Sequence, residues 1–174
     1  MASFGGLMSE LALLTWVVTA LGGLFLLAIW LIEYDPDFQR AAATRLPVPV
    51  ISGHAMLAIG GLATWVTYLI TDNDEFAYAT LVILAVVVCL GMSMATRWVV
   101  VYRSTAKPAR ARVAAAAGAG GPAGAGAFGA GEHAREFLVP PERHFPVAVV
   151  IGHGIFAFTT VVLVLLTTLG IGGT

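Results

Sequence analysis

Two histidines occupy the same position of a repeated apolar pattern. His54 lies in PVPVISGHAMLA, residues 47–58, and His153 lies in PVAVVIGHGIFA, 99 residues further along the chain. Each histidine follows a glycine and stands seven residues after a proline. Because a neutral imidazole is a good ligand for iron and other transition metals, two equivalent histidines predict one shared site for a metal or a metal cofactor.

The elements that must position these histidines are long apolar helices. The chain has 174 residues, of which 59% are hydrophobic and 11% are charged, and its mean hydropathy is +0.89. A helix needs about 20 mostly apolar residues to cross the hydrocarbon layer of a membrane. Four stretches satisfy this requirement, at residues 11–32, 47–70, 76–101 and 145–169. The sequence therefore predicts an all-α, four-transmembrane-helix bundle that forms a single integral membrane domain.

The four spans are predicted to be two copies of one helical hairpin. Spans 2 and 4 share the histidine repeat, and spans 1 and 3 share a Trp-x-x-x-Tyr pattern near their ends, at Trp30 and Tyr34 and at Trp98 and Tyr102. Copies that run in the same direction imply a pseudo-twofold axis along the membrane normal. We expect the tryptophans of spans 1 and 3, including Trp16, to lie at the water interface.

Under that symmetry His54 and His153 face each other across the bundle at equal depth, about 10 Å from one end of their helices. Two imidazoles on opposite sides, at one level, fit the axial coordination of a b-type haem. Gly53 and Gly152 remove side-chain bulk where a flat macrocycle needs room. The apolar neighbours expected to pack on the ring are Met56, Leu57, Ile155 and Phe156.

Polar residues precede each repeat at the membrane surface. Arg45 stands two residues before Pro47, and Arg143 and His144 stand just before Pro146. Haem propionates are anionic, so charge-assisted hydrogen bonds to these side chains are expected.

The basic residues predict the orientation of the chain. All nine lysines and arginines lie between spans 1 and 2, at the end of span 3, or in the third loop. By the positive-inside rule the first and third loops are cytoplasmic and both termini face outward, in the plasma membrane of the cell. We expect this cluster to contact anionic lipid rather than nucleic acid. The Ala/Gly-rich stretch at about 104–142 is predicted to be a flexible linker, because glycine and proline recur too often for a stable helix.

The chain resembles the small four-helix membrane b-type cytochromes, in which helical histidines hold haem inside a bundle. The features that carry this resemblance are His54, His153 and the four spans. The resemblance covers the spans and not the linker. It implies haem b and electron transfer, within a larger respiratory or other redox complex whose partners are membrane subunits or a quinone. Two-haem relatives use four histidines, whereas the spans of this chain contain two.

Other interpretations of the histidine pair stay open. The two rings could hydrogen-bond across helices as structural glue, or bind a different metal, a quinone or a lipid head group. No acid or cysteine lies at their depth to complete a zinc site or a catalytic triad, and no phosphate-binding loop is present. The sequence thus predicts either an electron carrier or a cofactor-free accessory subunit of a respiratory membrane complex, with Gly22, Gly23, Gly60 and Gly61 allowing close helix packing.

Overall fold

The computed structural model describes residues 4–33, 46–118 and 141–171. Within these ranges the chain forms four α-helices and one short 3₁₀ helix, and contains no strand. The elements are α1 (Phe4–Ile32), α2 (Val48–Thr71), α3 (Asp74–Gly118), the 3₁₀ helix (Pro141–His144) and α4 (Val147–Thr168). The all-α prediction is confirmed.

Each α-helix contains a segment that is long and apolar enough to cross a membrane. The segments are Gly6–Ile32, Val48–Thr71, Asp74–Arg103 and Val147–Thr168. They coincide with the four predicted spans to within a few residues. The chain is therefore a multi-pass membrane protein.

Prolines start the two helices that carry the histidines. Pro47 and Pro146 both have φ −63° and stand immediately before α2 and α4. Proline suits this position because its φ is already helical and its missing N–H has no intrahelical partner to lose. The equivalent starts place His54 and His153 about two turns into their helices, so the two side chains lie at the same level.

The third helix is longer than the sequence predicted. We expected a flexible linker from about residue 104, but α3 continues as a helix to Gly118. Residues 104–118 contain seven alanines, which favour helix, and one proline, Pro108, which does not. The helix thus extends into the first part of the stretch that we predicted to be a linker. The remainder, 119–140, lies outside the described residues.

The four helices associate as two pairs. α1 packs extensively along α4, and α2 packs extensively along α3, whereas the contacts of α1 with α2 and of α3 with α4 are fewer. In the predicted repeat α1 corresponds to α3 and α2 to α4. The two extensive interfaces are then equivalent to one another, as are the two sparse ones, which is the pattern that a pseudo-twofold axis requires.

Burial follows the same repeat. Positions 68 residues apart on α1 and α3 are buried together, and so are positions 99 residues apart on α2 and α4. The matched pairs are Ala12 with Thr80, Trp16 with Leu84, Gly61 with Thr160, and Trp65 with Val164. The shared positions show that both halves turn the same helix faces inward.

A compact core closes one half of the bundle. Trp65 is fully buried at its centre, packed among Trp16, Ala12, Leu84 and Val164. The Trp65 indole donates a hydrogen bond of 3.3 Å to the Ser9 carbonyl, which satisfies its only polar atom.

The tryptophans of span 1 pack against other helices, which the sequence did not predict. Trp16 and Trp30 are only 3% and 5% exposed. Their position at the water interface stays a prediction. Trp16 fits inside because Gly61 of α2 presents no side chain to its ring. In span 3, Trp98 stacks on the exposed Tyr102 with ring centroids 5.4 Å apart. Tyr34 lies outside the described residues.

Gly61 and Gly60 provide a matched test of this core. A Cβ at Gly61 would lie 3.1 Å from both Trp16 and Ile83, whereas a Cβ at Gly60 would meet nothing within 4 Å. We expect Gly61→Leu to lower the free energy of unfolding by about 1–3 kcal/mol through overpacking. Gly60→Leu should leave it nearly unchanged. Unfolding in mixed detergent micelles measures both, and equal effects would contradict the packing described here.

Candidate functional site

The two histidines face each other across the centre of the bundle. Their ring centroids are 6.4 Å apart, and their planes are inclined by 57°. α2 and α4, which carry them, are diagonal neighbours whose backbones do not approach closely. The structure thus brings His54 and His153 together from opposite helix pairs, as the repeat predicted.

Each imidazole is held by a backbone carbonyl of the adjacent helix. His54 Nδ1 donates to the Val87 carbonyl at 3.1 Å, and His153 Nδ1 donates to the Thr19 carbonyl at 2.9 Å. Since a carbonyl can only accept, Nδ1 must carry the proton, and in the neutral ring Nε2 then carries the lone pair. Among the described residues neither Nε2 has a hydrogen-bond partner. Both rings therefore keep a free ligand nitrogen.

A glycine on the same adjacent helix makes room for each ring. A Cβ at Gly91 would lie 3.2 Å from His54 Cε1, and a Cβ at Gly23 would lie 3.0 Å from His153 Cε1. Each glycine stands four residues after the accepting carbonyl, which places glycine and carbonyl on one helix face. α1 and α3 thus form the wall behind each imidazole.

Nothing in the sequence assigned α1 or α3 a role at this site. Thr19 and Val87 act through backbone carbonyls, which every residue possesses, so residue type gives no signal. The 68-residue spacing that relates Trp30 to Trp98 also relates Gly23 to Gly91. That shared spacing was the one sign that the glycines are equivalent.

Only one side chain, that of Val87, is buried in the layer of the bundle that contains the two rings. We call this the histidine layer, and it comprises residues 17–29 of α1, 47–60 of α2 and 85–100 of α3, together with 143–159 at and before the start of α4. Buried residues appear on one side at Trp16, Gly61, Leu84 and Thr160, and on the other at Trp30, Leu46, Val101 and Glu142. A closed four-helix bundle buries an inward-facing side chain at about every turn. The helices therefore do not close a protein core at the depth of the histidines.

The glycines that precede the histidines are not needed for protein packing. A Cβ at Gly152 would meet nothing within 4 Å, and one at Gly53 would meet only Leu90, at 3.9 Å. Both positions are open, and their predicted role beside a macrocycle stays a prediction.

Two of the four residues expected to pack on a ring lie on the wrong face. Met56 and Ile155 are 73% and 60% exposed. Each stands two residues after a histidine, about 200° around the helix, so both side chains face away from the imidazoles. Leu57 and Phe156, three residues after the histidines, share the histidine face, and Phe156 is 41% exposed there.

Of the residues predicted to contact propionates, Arg143 and His144 lie near one end of the histidine layer. His144 Nδ1 lies 3.8 Å from Glu33 Oε2, so this histidine joins the 3₁₀ helix to the end of α1. Arg143 is exposed beside it. Arg45 lies outside the described residues. Their role toward a cofactor stays a prediction.

The donor set favours a metal that arrives with ligands of its own. Among the described residues no three His, Cys, Asp or Glu side chains are grouped to hold a metal ion. A zinc site takes three or four protein ligands, whereas haem needs only axial ones. Two imidazoles therefore suit a macrocycle better than a bare ion.

A separate shallow cleft of about 390 Å³ lies toward the other end of the bundle, between α1 and α2. Its walls are formed by Gly6, Ser9, Glu10, Tyr68, Leu69 and Asp72. Tyr68 stands fourteen residues beyond His54 on α2, which corresponds to about 21 Å along the helix. The cleft is therefore not part of the histidine site.

No protein-family model, no curated protein and no solved structure matches this chain. Its function is therefore inferred from the geometry of the two histidines and the layer around them.

The carbonyl contacts predict the tautomer of both rings. In ¹⁵N-histidine-labelled protein without added cofactor, we expect the neutral rings of His54 and His153 to carry their proton on Nδ1. Free histidine in water serves as the comparison, because its neutral imidazole prefers the proton on Nε2. Nitrogen chemical shifts, assigned with His54→Gln and His153→Gln, measure the tautomer. A proton on Nε2 of the neutral ring of His54 or of His153 would contradict the hydrogen bonds described here.

Proposed function

We propose that this chain is a membrane electron-transfer protein that binds one b-type haem between His54 and His153, as part of a larger respiratory or redox membrane complex. The separation of the two imidazoles carries this proposal. With metal–nitrogen bonds of about 2.0–2.1 Å and an imidazole radius of about 1.2 Å, two rings on opposite sides of one metal have centroids about 6.4 Å apart. The observed separation is 6.4 Å.

The chemistry of the rings supports the same ligand. Metal-bound histidines commonly donate their second ring N–H to a backbone carbonyl, which fixes the tautomer and raises the basicity of the ligand nitrogen. Val87 and Thr19 provide that carbonyl to the two rings. His54 and His153 would therefore supply Nε2 as the two axial ligands.

The histidine layer supports the accommodation of a flat group. It lacks a closed core, and Gly53, Gly152 and Gly154 present no side chains in it. The packed cores on either side, around Trp65 and around Trp30 and Val101, would exclude water along the bundle axis. A bound haem supplies one-electron oxidation and reduction, and an apolar, water-poor surrounding is one of the factors that tune its potential.

The position of the layer bears on the electron partners. The histidines stand about 10 Å from the basic end of the helices, within a hydrocarbon layer about 30 Å thick. A single site at that depth does not connect both membrane faces. The chain would thus exchange electrons with a quinone or with another membrane subunit. Arg143, at the basic end, and Arg45 are the candidates to hold anionic propionates.

A cofactor-free accessory subunit is the second candidate, and one observation favours it. The two imidazole–carbonyl hydrogen bonds already join α2 to α3 and α4 to α1 without any ligand. Interhelical bonds of this kind stabilise membrane bundles by about 0.6 kcal/mol on average. On this hypothesis the histidines are structural and partner subunits cover the apolar helices.

An optical spectrum separates the two candidates. For the purified full-length chain we expect a reduced-minus-oxidised spectrum with haem absorption bands. The bands should disappear in His54→Ala and in His153→Ala, because each variant removes one axial ligand. His133→Ala, at a histidine outside the four spans, is the control and should retain them. A folded, colourless protein that also fails to take up added haemin would reject the haem proposal and favour the accessory subunit.

The proposed orientation places loops 1 and 3 in the cytoplasm and both termini outside, in the plasma membrane. Single cysteines at Asn73→Cys and Arg110→Cys, in a Cys89→Ala background, test it. An impermeant thiol reagent added to intact cells should label position 73 and leave position 110 unlabelled. The reverse pattern would overturn the orientation without affecting the haem proposal.

A further inference from the structure

We infer that Gly23 and Gly91 are positioning residues for the two imidazoles, each acting through the histidine that lies against it. The inference concerns the chain itself and rests on the proposed function only where haem binding is the measured effect. Its basis is one arrangement that occurs twice, with a carbonyl and a glycine on one helix enclosing a histidine from another.

The two copies of the arrangement share the accepting carbonyl, the glycine and the spacing between them. On α3 the carbonyl of Val87 accepts from His54, and Gly91 lies four residues later. On α1 the carbonyl of Thr19 accepts from His153, and Gly23 lies four residues later. Carbonyl and glycine thus recur at the same spacing and on the same helix face, although only the backbone is used in either case.

A side chain at these glycines would act on the ring and not on the helix. The atoms nearest to a Cβ at Gly23 are Cε1 and Nδ1 of His153, at 3.0 and 3.5 Å. Those nearest to a Cβ at Gly91 are Cε1 and Nδ1 of His54, at 3.2 and 3.6 Å. Cε1 lies between the two ring nitrogens, so pushing it displaces the hydrogen-bonded Nδ1 and the ligand nitrogen Nε2 together.

Gly22 supplies the matched control. It is adjacent to Gly23 in the same helix, and a Cβ there would lie 3.7 Å from His153 Cβ and Nδ1, an ordinary contact distance. Alanine favours helix equally at both positions. The expected order of displacement is therefore Gly23→Ala, then Gly91→Ala, and last Gly22→Ala.

The first measurement uses the full-length chain without cofactor. Nitrogen chemical shifts of labelled histidine report the Nδ1 hydrogen bond of each ring. We expect Gly91→Ala to shift the His54 signals and leave those of His153, and Gly23→Ala to do the reverse. Gly22→Ala should shift neither. Unchanged signals in both test variants, or an equal shift in Gly22→Ala, would overturn the inference.

The second measurement titrates haemin into the same proteins and follows its absorbance. Loss of an outer partner of a metal ligand reduces affinity by about 10- to 100-fold, so we expect a loss of this size for Gly23→Ala and Gly91→Ala. Gly22→Ala should bind like the parent chain. Parent-like binding by both test variants would overturn the positioning role toward the ligand.

The two measurements distinguish failure of the proposed function from failure of the inference about the glycines. If the parent chain takes up no haemin, the proposed function is wrong, and the nitrogen shifts alone decide whether the glycines position the rings. Circular dichroism verifies that each variant folds. If Gly23→Ala does not fold, Gly91→Ala applies the same test to the other histidine at a less severe contact distance.

Discussion

An imidazole inside a membrane needs a hydrogen-bond partner, because no water is present to provide one. The rest of the histidine site follows from how this requirement is satisfied. Both rings use Nδ1 to donate to a carbonyl of the neighbouring helix. A helix carbonyl has a second lone pair after its own helical bond is made, so this contact costs no backbone hydrogen bond. The outcome is a pair of rings held at one nitrogen and free at the other.

Because the helices associate as two equivalent pairs, the same imidazole–carbonyl hydrogen bond forms at both histidines. Each histidine bonds within an extensive interface, His54 between α2 and α3 and His153 between α4 and α1. The sparse interfaces lie between the pairs, where the two rings meet. The repeated hairpin thus provides both the hydrogen bond that holds each ring and the open layer between the two rings. A single hairpin could complete neither contact, because each histidine bonds to a helix of the other hairpin.

Hydropathy and the histidine repeat were sufficient to predict the four spans and the meeting of His54 with His153. Features that depend on backbone geometry or on a partner helix could not be predicted from the sequence. The carbonyls of Thr19 and Val87 leave no mark in the sequence, and the burial of Trp16 depends on a glycine in another helix. Met56 was misplaced because proximity in sequence was taken for a shared face, although two residues correspond to about 200° of rotation. The extension of α3 to Gly118 shows helical propensity continuing past the apolar segment.

The choice between a structural and a ligand-binding role depends on how the space around the rings is used. Structural glue needs one good hydrogen bond per ring, and it gains from close packing of the helices around that bond. The protein has the hydrogen bonds, but Val87 is the one buried side chain in the histidine layer. Two free Nε2 atoms both present lone pairs, so the rings cannot hydrogen-bond to each other through them. On the function proposed above, a metal held in a flat macrocycle would bind both lone pairs and would also fill the open layer.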